Sequence, residues 1–283
     1  MERLISILVI VMLIEMRIAI GLRVSCGDLS RTLANWRLIL GALLANYVCV
    51  PAMAAALLVV LRTSPLVAAG ILILAVCPGA PFGPSCTALA KGNVSASVGL
   101  MAILAGSSAL LAPLLLPSLL GITAGHHVPS VDPLSIVRVL FVTQLAPLFA
   151  GLAVRQFFPL FADRMARPAE RLSSSLSLLT ITAVLTVHGS KLLEIRPSGC
   201  MGMTVLLLAS WGSGWVLGGH RADNQKALAI TTGLRNVGVA LAIANVSFPD
   251  TPAVTAALAY GLFEIFGTIG LALWWNWRAA TVS

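Results

Sequence analysis

Nine runs of apolar residues follow one another along this chain, and each is long enough to cross a lipid bilayer. An α-helix rises 1.5 Å per residue, so about 20 residues cross a hydrocarbon core roughly 30 Å thick. Only 10% of the 283 residues are charged and 58% are hydrophobic, a composition that excludes an ordinary water-soluble protein. The runs lie at about 4–22, 38–61, 66–90, 94–121, 135–156, 172–190, 199–218, 225–247 and 253–276. The sequence therefore predicts an all-α membrane protein that has the lipid bilayer as its partner.

The net charge of +8 is explained by membrane topology rather than by nucleic-acid binding, because the basic residues are spread among the predicted loops. Cytoplasmic loops of membrane proteins carry an excess of Lys and Arg. With the N-terminus outside, the inner side holds eleven basic residues: Arg23, Arg31, Arg37, Lys91, Arg155, Arg164, Arg167, Arg171, Arg221, Lys226 and Arg278. The outer side then holds five: Arg3, Arg62, Arg138, Lys191 and Arg196. We therefore expect an outer N-terminus, a cytoplasmic C-terminus and a location in the inner membrane of a bacterium.

Catalytic, metal-binding and cofactor motifs are missing from the sequence. The five cysteines occur singly, without a Cys-x-x-Cys pair, and are interpreted as small buried residues: Cys26, Cys49, Cys77, Cys86 and Cys200. His126 and His127 are adjacent in a predicted outer loop but lack a third metal ligand. No His-Glu-x-x-His run or Ser/His/Asp set occurs at membrane depth. We therefore expect no enzyme activity, no bound metal and no cofactor.

Two of the nine runs contain residues that interrupt a helix. The third has three prolines and two glycines within residues 77–84, and the eighth has two glycines around an arginine and an asparagine within residues 231–238. Proline removes a backbone donor and glycine loosens a helix. We therefore expect residues 78–84 and 233–238 to be non-helical and to lie together in mid-membrane. For either run alone, a kink that only shapes packing is the alternative.

The two interrupted runs occupy matching positions. Runs one to four and six to nine form two sets of four, and the interrupted run is the third of each set. The fifth run between the sets gives them opposite orientations in the membrane. Interrupted segments at corresponding places in inverted halves indicate the central site of a secondary transporter. We divide the chain into a first half at 1–134, a linking helix and inner loop at 135–171, and a second half at 172–283.

The same two segments resemble those of the bile acid:sodium symporter family. Residues 77–79 read Cys-Pro-Gly and residues 89–94 read Leu-Ala-Lys-Gly-Asn-Val, which resembles its first signature. Residues 225–230, followed by Gly233 and Asn236, resemble its second broken helix. The resemblance implies a core domain of the second, third, fourth, seventh, eighth and ninth runs, in which the broken helices cross. It also implies a panel domain of the first, fifth and sixth runs, with the solute in the crevice between the two domains.

Sodium-coupled members of this family hold sodium with a set of oxygen ligands, and this chain keeps Ser97 of that set but departs from it at most of the other positions. The corresponding positions here are Gly83, Pro84, Ser97, Met101, Thr231, Arg235 and Asn46. Thr231 replaces the family's one carboxylate, and Arg235 replaces a glutamine. Sodium needs several oxygen ligands, and a permanent guanidinium repels it. The resemblance therefore implies a divergent member in which sodium is not expected and Arg235 stands in for the ion through its own hydrogen bonds.

Four ionisable residues lie inside the apolar runs, where each must face protein or water: Glu15, Arg17, Arg235 and Glu264. The first run lacks a cleavage site and carries two of these charges, so we interpret it as a membrane helix rather than a signal peptide. We expect Arg17 to snorkel to the inner surface, and Glu15 to pair with it or to face the crevice. Glu264 is the candidate to neutralise Arg235, within a functional site or as a buried structural ion pair.

The predicted solute site lies beside the second break. The positions assigned to it are Arg235, Asn236, Pro81 and Gly267. The positive end of the half-helix that follows Gly238 also favours an anion. We therefore expect a secondary active or facilitative transporter of a small carboxylate or sulfonate, independent of sodium and driven by protons or by the solute gradient. The alternatives are a sodium-coupled symporter of the family, a non-transporting membrane receptor, and an arsenite-type exporter, for which the register of Cys86 is wrong.

Overall fold

The computed structural model describes residues 2–24, 26–123, 132–193 and 197–281. The α-helices are α1 (Glu2–Arg23), α2 (Cys26–Ala34), α3 (Trp36–Leu44), α4 (Val50–Val60), α5 (Pro65–Ala75), α6 (Gly83–Leu89), α7 (Val94–Thr123), α8 (Pro133–Leu140), α9 (Ala146–Phe157), α10 (Pro159–Leu193), α11 (Pro197–Leu217), α12 (Ala222–Gly233), α13 (Val237–Ser247) and α14 (Pro252–Thr281). Two π-helical segments, Ala45–Cys49 and Phe141–Leu145, join α3 to α4 and α8 to α9. The predicted loop with His126 and His127 lies outside the described residues.

Each of the nine predicted apolar runs corresponds to one helix or to consecutive helical segments. Among the described residues, five helical stretches are long and apolar enough to cross a membrane: Trp36–Val60, Val94–Thr123, Pro133–Phe157, Pro197–Leu217 and Pro252–Ala279. The third and eighth runs are each divided into two shorter helices. The first and sixth runs form α1 and α10, which carry charged residues. The prediction of an all-α membrane protein is confirmed.

The helices pack in two groups. α1 packs mainly on α9 and α10, whereas α5 packs on α14 and α11 packs on α12. Glycines permit close approach in both groups. A β-carbon on Gly21 would lie 2.6 Å from the carbonyl oxygen of Leu148, and one on Gly70 would lie 2.1 Å from that of Ala253. This packing agrees with the panel and core that the resemblance implies, while the division into inverted halves stays a prediction.

The two interruptions lie against each other. Pro78 in the first forms an antiparallel backbone bridge with Arg235 in the second. The backbone amide of Asn236 donates to the carbonyl oxygen of Cys77 at 2.8 Å. Backbone groups that leave a helix in an apolar environment need other partners, and here each broken helix supplies them to the other. The expectation that the two breaks lie together is confirmed.

The interruptions are shorter than expected from the sequence. α6 begins at Gly83, with Pro84 in its first turn, where a missing amide costs no helical hydrogen bond. In the second break only residues 234–236 are outside a helix, because the side chain of Asn236 accepts from the amide of Val239 and caps α13. The prediction of non-helical backbone was therefore wrong at residues 83–84, 233 and 237–238.

The segment before the sixth run is also helical, although an inner loop was predicted there. α10 begins at Pro159 and continues for 35 residues, which corresponds to about 52 Å at 1.5 Å per residue. Residues 159–171 contain three Arg and three Ala, which are good helix formers. Their charge marks the edge of the membrane and does not end the helix.

Candidate functional site

A crevice lies between the panel and core helices at the level of the two breaks. The enclosed part of this crevice has a volume of about 70 Å³. α1 contributes Val9, Met12, Leu13 and Met16 to its wall, and α10 contributes Ser177 and Thr180. The core side consists of residues 80–82 from the first break, 234–238 from the second, and side chains of α13 and α14. The wall is mainly apolar, with a small polar patch where the breaks meet.

Three of the four residues assigned to the solute line this crevice: Pro81, Arg235 and Asn236. Gly267 does not. A β-carbon there would lie 2.5 Å from a terminal methyl group of Leu207 on α11, so this glycine permits close packing inside the core. Its assignment to the solute site is corrected accordingly.

Arg235 is a buried cation with one strong acceptor. Its side chain is 2% exposed, and Nη1 donates to Oδ1 of Asn46 at 2.9 Å. Nδ2 of Asn46 donates to the hydroxyl of Thr232 at 3.3 Å, so the amide joins the guanidinium to α12. Asn46 lies in the first π-helical segment, and a π-turn adds a residue that re-aims side chains within a helix. Nη2 of Arg235 has no hydrogen-bond partner among the described residues.

Glu264 contacts the backbone of Arg235 rather than its guanidinium. One carboxylate oxygen accepts from the Arg235 amide at 2.6 Å, and the other has no partner among the described residues. The described part of the chain contains no Arg235–Glu264 ion pair within 4.0 Å. The carboxylate therefore satisfies an amide that the break removes from helical bonding, and it balances the buried guanidinium only through space.

Two of the other predicted cation positions, Ser97 and Thr231, form a second, separate group with Thr87, which we call the hydroxyl cluster. The Thr87 hydroxyl donates to the Gly83 carbonyl oxygen at 2.8 Å and lies 3.0 Å from the Ser97 hydroxyl. The Ser97 and Thr231 hydroxyls are 3.3 Å apart. The Thr231 hydroxyl also donates to the Ala227 carbonyl oxygen at 2.7 Å, so backbone carbonyl groups as well as neighbouring hydroxyls hold this cluster. Thr87 was missed from the sequence, although it lies one turn after Gly83 on α6.

The two remaining predicted positions contribute no oxygen to this cluster. Met101 is a buried apolar residue of α7, and Pro84 is in the first turn of α6. Among the described residues, no three His, Cys, Asp or Glu side chains are grouped to hold a metal ion.

Asn236 is already hydrogen-bonded on both sides of its amide. Oδ1 accepts from the Val239 amide at 3.3 Å, and Nδ2 donates to Oε1 of Gln144 at 3.2 Å. Gln144 in turn donates to the hydroxyl of Ser108 at 3.1 Å. Gln144 lies in the second π-helical segment, so both π-segments supply an amide to the crossing point. The sequence analysis missed Gln144, although an amide side chain within an apolar run indicates a buried hydrogen-bonding position.

Arg17 does not snorkel, contrary to the sequence-based expectation. Its side chain is 1% exposed, and Nη2 donates to the carbonyl oxygen of Gly79 in the first break at 3.2 Å. Nε and Nη1 have no partner among the described residues. No Glu15–Arg17 ion pair occurs among the described residues, and the Glu15 carboxylate accepts from the Ser173 hydroxyl of α10 at 2.5 Å. Arg17 is held inside because α1 is packed against α9, α10 and α13.

The remaining signature residues tie the far ends of the two broken helices together. The Lys226 ammonium donates to the Ala90 carbonyl oxygen at 2.9 Å, and Nδ2 of Asn93 donates to Oδ1 of Asn224 at 2.9 Å. Beside them, hydrogen bonds from Arg221 hold the pKa of the Asp223 carboxyl below its ordinary value. These residues fix how the breaks cross and do not face the crevice.

Replacing Gly79 with alanine should destabilise the crossing point by about 2 kcal/mol. Gly79 has φ +87°, and a β-carbon there would lie 2.8 Å from the backbone nitrogen of Ala105. The expected result is a lower thermal unfolding temperature for the purified protein. Gly106→Ala is the matched control, since a β-carbon at Gly106 meets nothing within 4 Å. Equal unfolding temperatures for the two variants would contradict this role of Gly79.

Comparison with known proteins identifies relatives over most of the chain. Residues 9–195 match the family profile described as the Sodium Bile acid symporter family. An uncharacterized sodium-dependent transporter of Bacillus subtilis, YocS, is 30% identical over 264 residues, which cover 90% of this chain and 79% of that protein. A chloroplastic protein of rice, Oryza sativa subsp. japonica, named a "Probable sodium/metabolite cotransporter", is 24% identical over 269 residues, 92% of this chain and 62% of its own. Sodium/bile acid cotransporter 4 of Mus musculus is 28% identical over 235 residues, 78% of this chain and 52% of its own. The matched region thus spans less than two thirds of the plant and mouse proteins.

Proposed function

Because this chain belongs to the sodium bile acid symporter family, we propose that it is a membrane transporter that carries a small organic anion without sodium. Transport is the activity that the family and the names of its relatives indicate. The negative charge of the solute and the independence from sodium are proposed from the residues of this chain. The observation that carries both is the buried guanidinium of Arg235 at the wall of the crevice.

Arg235 disfavours a sodium ion at the crossing point for an electrostatic reason. Two like charges about 4 Å apart repel by about 4 kcal/mol at an effective dielectric constant of about 20, roughly a thousandfold in affinity. The Asn46 oxygen that such an ion would need already accepts from Arg235. The hydroxyl cluster lacks a carboxylate, and its oxygens bond to one another. An arginine is permanently charged and offers five donors, so it can hold the crossing helices as an ion would.

The balance of buried charge favours an anionic solute. Among the residues whose burial is described, Arg17 and Arg235 are two buried cations and Glu264 is one buried anion, which leaves one positive charge in excess. The N-terminus of α13 adds partial positive charge beside Asn236. A small carboxylate or sulfonate would neutralise this excess and use the unpartnered nitrogens. Because Arg235 cannot leave, the driving force would come from the solute gradient or from protons, with the free oxygen of Glu264 as the candidate carrier.

Sodium-coupled symport is the second candidate, because the relatives above are named for sodium-dependent transport. A non-transporting receptor on the same fold is the third. Uptake of radiolabelled carboxylates and sulfonates into proteoliposomes, with and without sodium and proton gradients, separates the three. Arg23, at the end of α1, and Arg155, in the last turn of α9, belong to the side of the protein that carries more basic residues. Such an excess favours the cytoplasmic side, so we propose a location in a bacterial inner membrane with the N-terminus outside.

Solute affinity should be unchanged when sodium is replaced by choline at constant ionic strength. The physical reason is that the guanidinium occupies the space and the acceptor of a coupling ion. The measurement is thermal stabilisation of the purified protein by a panel of small carboxylates and sulfonates in the two salts. Affinity that is tenfold or more higher in sodium would refute sodium independence but would leave anion transport in place.

A further inference from the structure

The elbow between α9 and α10 exposes a group of large apolar side chains. Phe157, Phe158, Leu160 and Phe161 are each more than half exposed, within five consecutive residues. Aromatic side chains at the ends of membrane helices lie at the interface between the hydrocarbon and the headgroups. In water these four side chains would form an exposed apolar patch, so a membrane surface is the environment that fits them.

Next to this patch, three exposed arginines form one stripe along α10. Arg164, Arg167 and Arg171 are spaced by three and four residues, so they project from the same side of the helix. All three are exposed to the surroundings of the protein. They lie just before the apolar part of α10, which begins at Leu172. We call this group the arginine stripe.

The acidic residues beside the arginine stripe are already paired with other arginines. The Glu170 carboxylate accepts from Arg23 at the end of α1 at 2.5 Å, and the Asp163 carboxylate accepts from Arg155 at the end of α9. Among the described side chains, no acidic residue pairs with the stripe. The elbow therefore presents three uncompensated positive charges at the edge of the membrane.

We propose that the arginine stripe and the apolar patch form a binding surface for anionic phospholipid. The Phe and Leu side chains insert among the acyl chains, and the guanidinium groups bind the phosphate and the charged headgroup through paired N–H donors. Basic residues next to a membrane attract anionic lipid by roughly fivefold in affinity per residue. Since α10 packs on α1 and both helices line the crevice, the bound lipid fixes this wall of the crevice relative to the membrane.

The test uses the full-length protein in mixed micelles of neutral detergent. The probes are dioleoylphosphatidylglycerol and dioleoylphosphatidylcholine, and bound lipid is counted by native mass spectrometry. In R164Q/R167Q/R171Q the affinity for phosphatidylglycerol should fall at least tenfold, with phosphatidylcholine unaffected. The charge-matched control R37Q/R62Q/R138Q removes three exposed arginines that are not grouped in one stripe, and its loss of affinity should be at least fivefold smaller. Retained affinity in the first variant, or an equal loss in both, overturns the proposal.

Three further measurements keep the test decisive if the triple glutamine variant does not fold. R164K/R167K/R171K preserves the charge and should retain most of the affinity, and the wild-type preference for phosphatidylglycerol should weaken as salt is raised. A preference that is insensitive to salt contradicts the proposal. Inorganic phosphate should stabilise the wild type less than the lipid does. If phosphate alone reproduces the stabilisation, the stripe binds soluble anions and not lipid.

Discussion

Arg235→Gln is expected to lower the stability of the protein by about 3–5 kcal/mol, the cost of removing one partner from a buried charged network. The substitution leaves the buried Glu264 carboxylate without a compensating cation and Asn46 without its donor. Thermal or urea unfolding of the purified protein measures the loss. Arg62→Gln is the control, since Arg62 is exposed and its replacement should cost less than about 0.5 kcal/mol. A loss at Arg235 as small as in this control would contradict its role in joining the crossing helices.

The same position should control the response to sodium. Arg235→Gln introduces the glutamine that the family resemblance implies at this position but no carboxylate, so we expect no gain in sodium binding from it alone. Arg235→Gln combined with Thr231→Glu places a carboxylate beside the Ser97 and Thr87 hydroxyls, and this double variant should be stabilised by sodium relative to choline. If the wild type shows the same sodium stabilisation as the double variant, the idea that Arg235 replaces the ion is wrong.

Arg17→Gln is expected to reduce the affinity for an anionic solute on the order of tenfold or more, because it removes one of two buried cations at the breaks. It also removes the hydrogen bond from α1 to the Gly79 carbonyl oxygen. Arg17→Lys retains the charge without the guanidinium fork and should retain most of the affinity. The measurement is solute-dependent thermal stabilisation, supported by uptake into proteoliposomes.

Arg138→Gln is the control for Arg17, because Arg138 is an exposed arginine in the last turn of α8. It should change solute affinity less than twofold. A purely structural role for Arg17 predicts a different pattern: both Arg17 variants lower the unfolding temperature and neither changes solute affinity. That pattern would refute its participation in anion binding.

The breaks and the central cation could be predicted because their signals are local. Prolines and glycines within residues 77–84 and 231–238 interrupt a helix wherever that helix packs. A charge in the middle of an apolar run, as at Arg235, must be shielded from lipid whatever the fold. These local signals did not, however, predict correctly where the helices begin and end. Asn236 caps α13 at once, and residues 159–171 continue as helix because charged residues do not end one.

The all-α membrane fold and its two broken helices follow from the sequence alone, whereas the side chains that meet at the crossing point depend on how the helices pack. Arg17 bonds to Gly79 across 62 residues, and Asn236 bonds to Gln144 across 92. Glu264 bonds to an amide rather than to the guanidinium of Arg235. In a soluble helix an apolar stripe marks the buried face, but a helix surrounded by lipid is apolar on every side. Its inward face is therefore set by how all the helices cross, and the sequence of one helix does not record it.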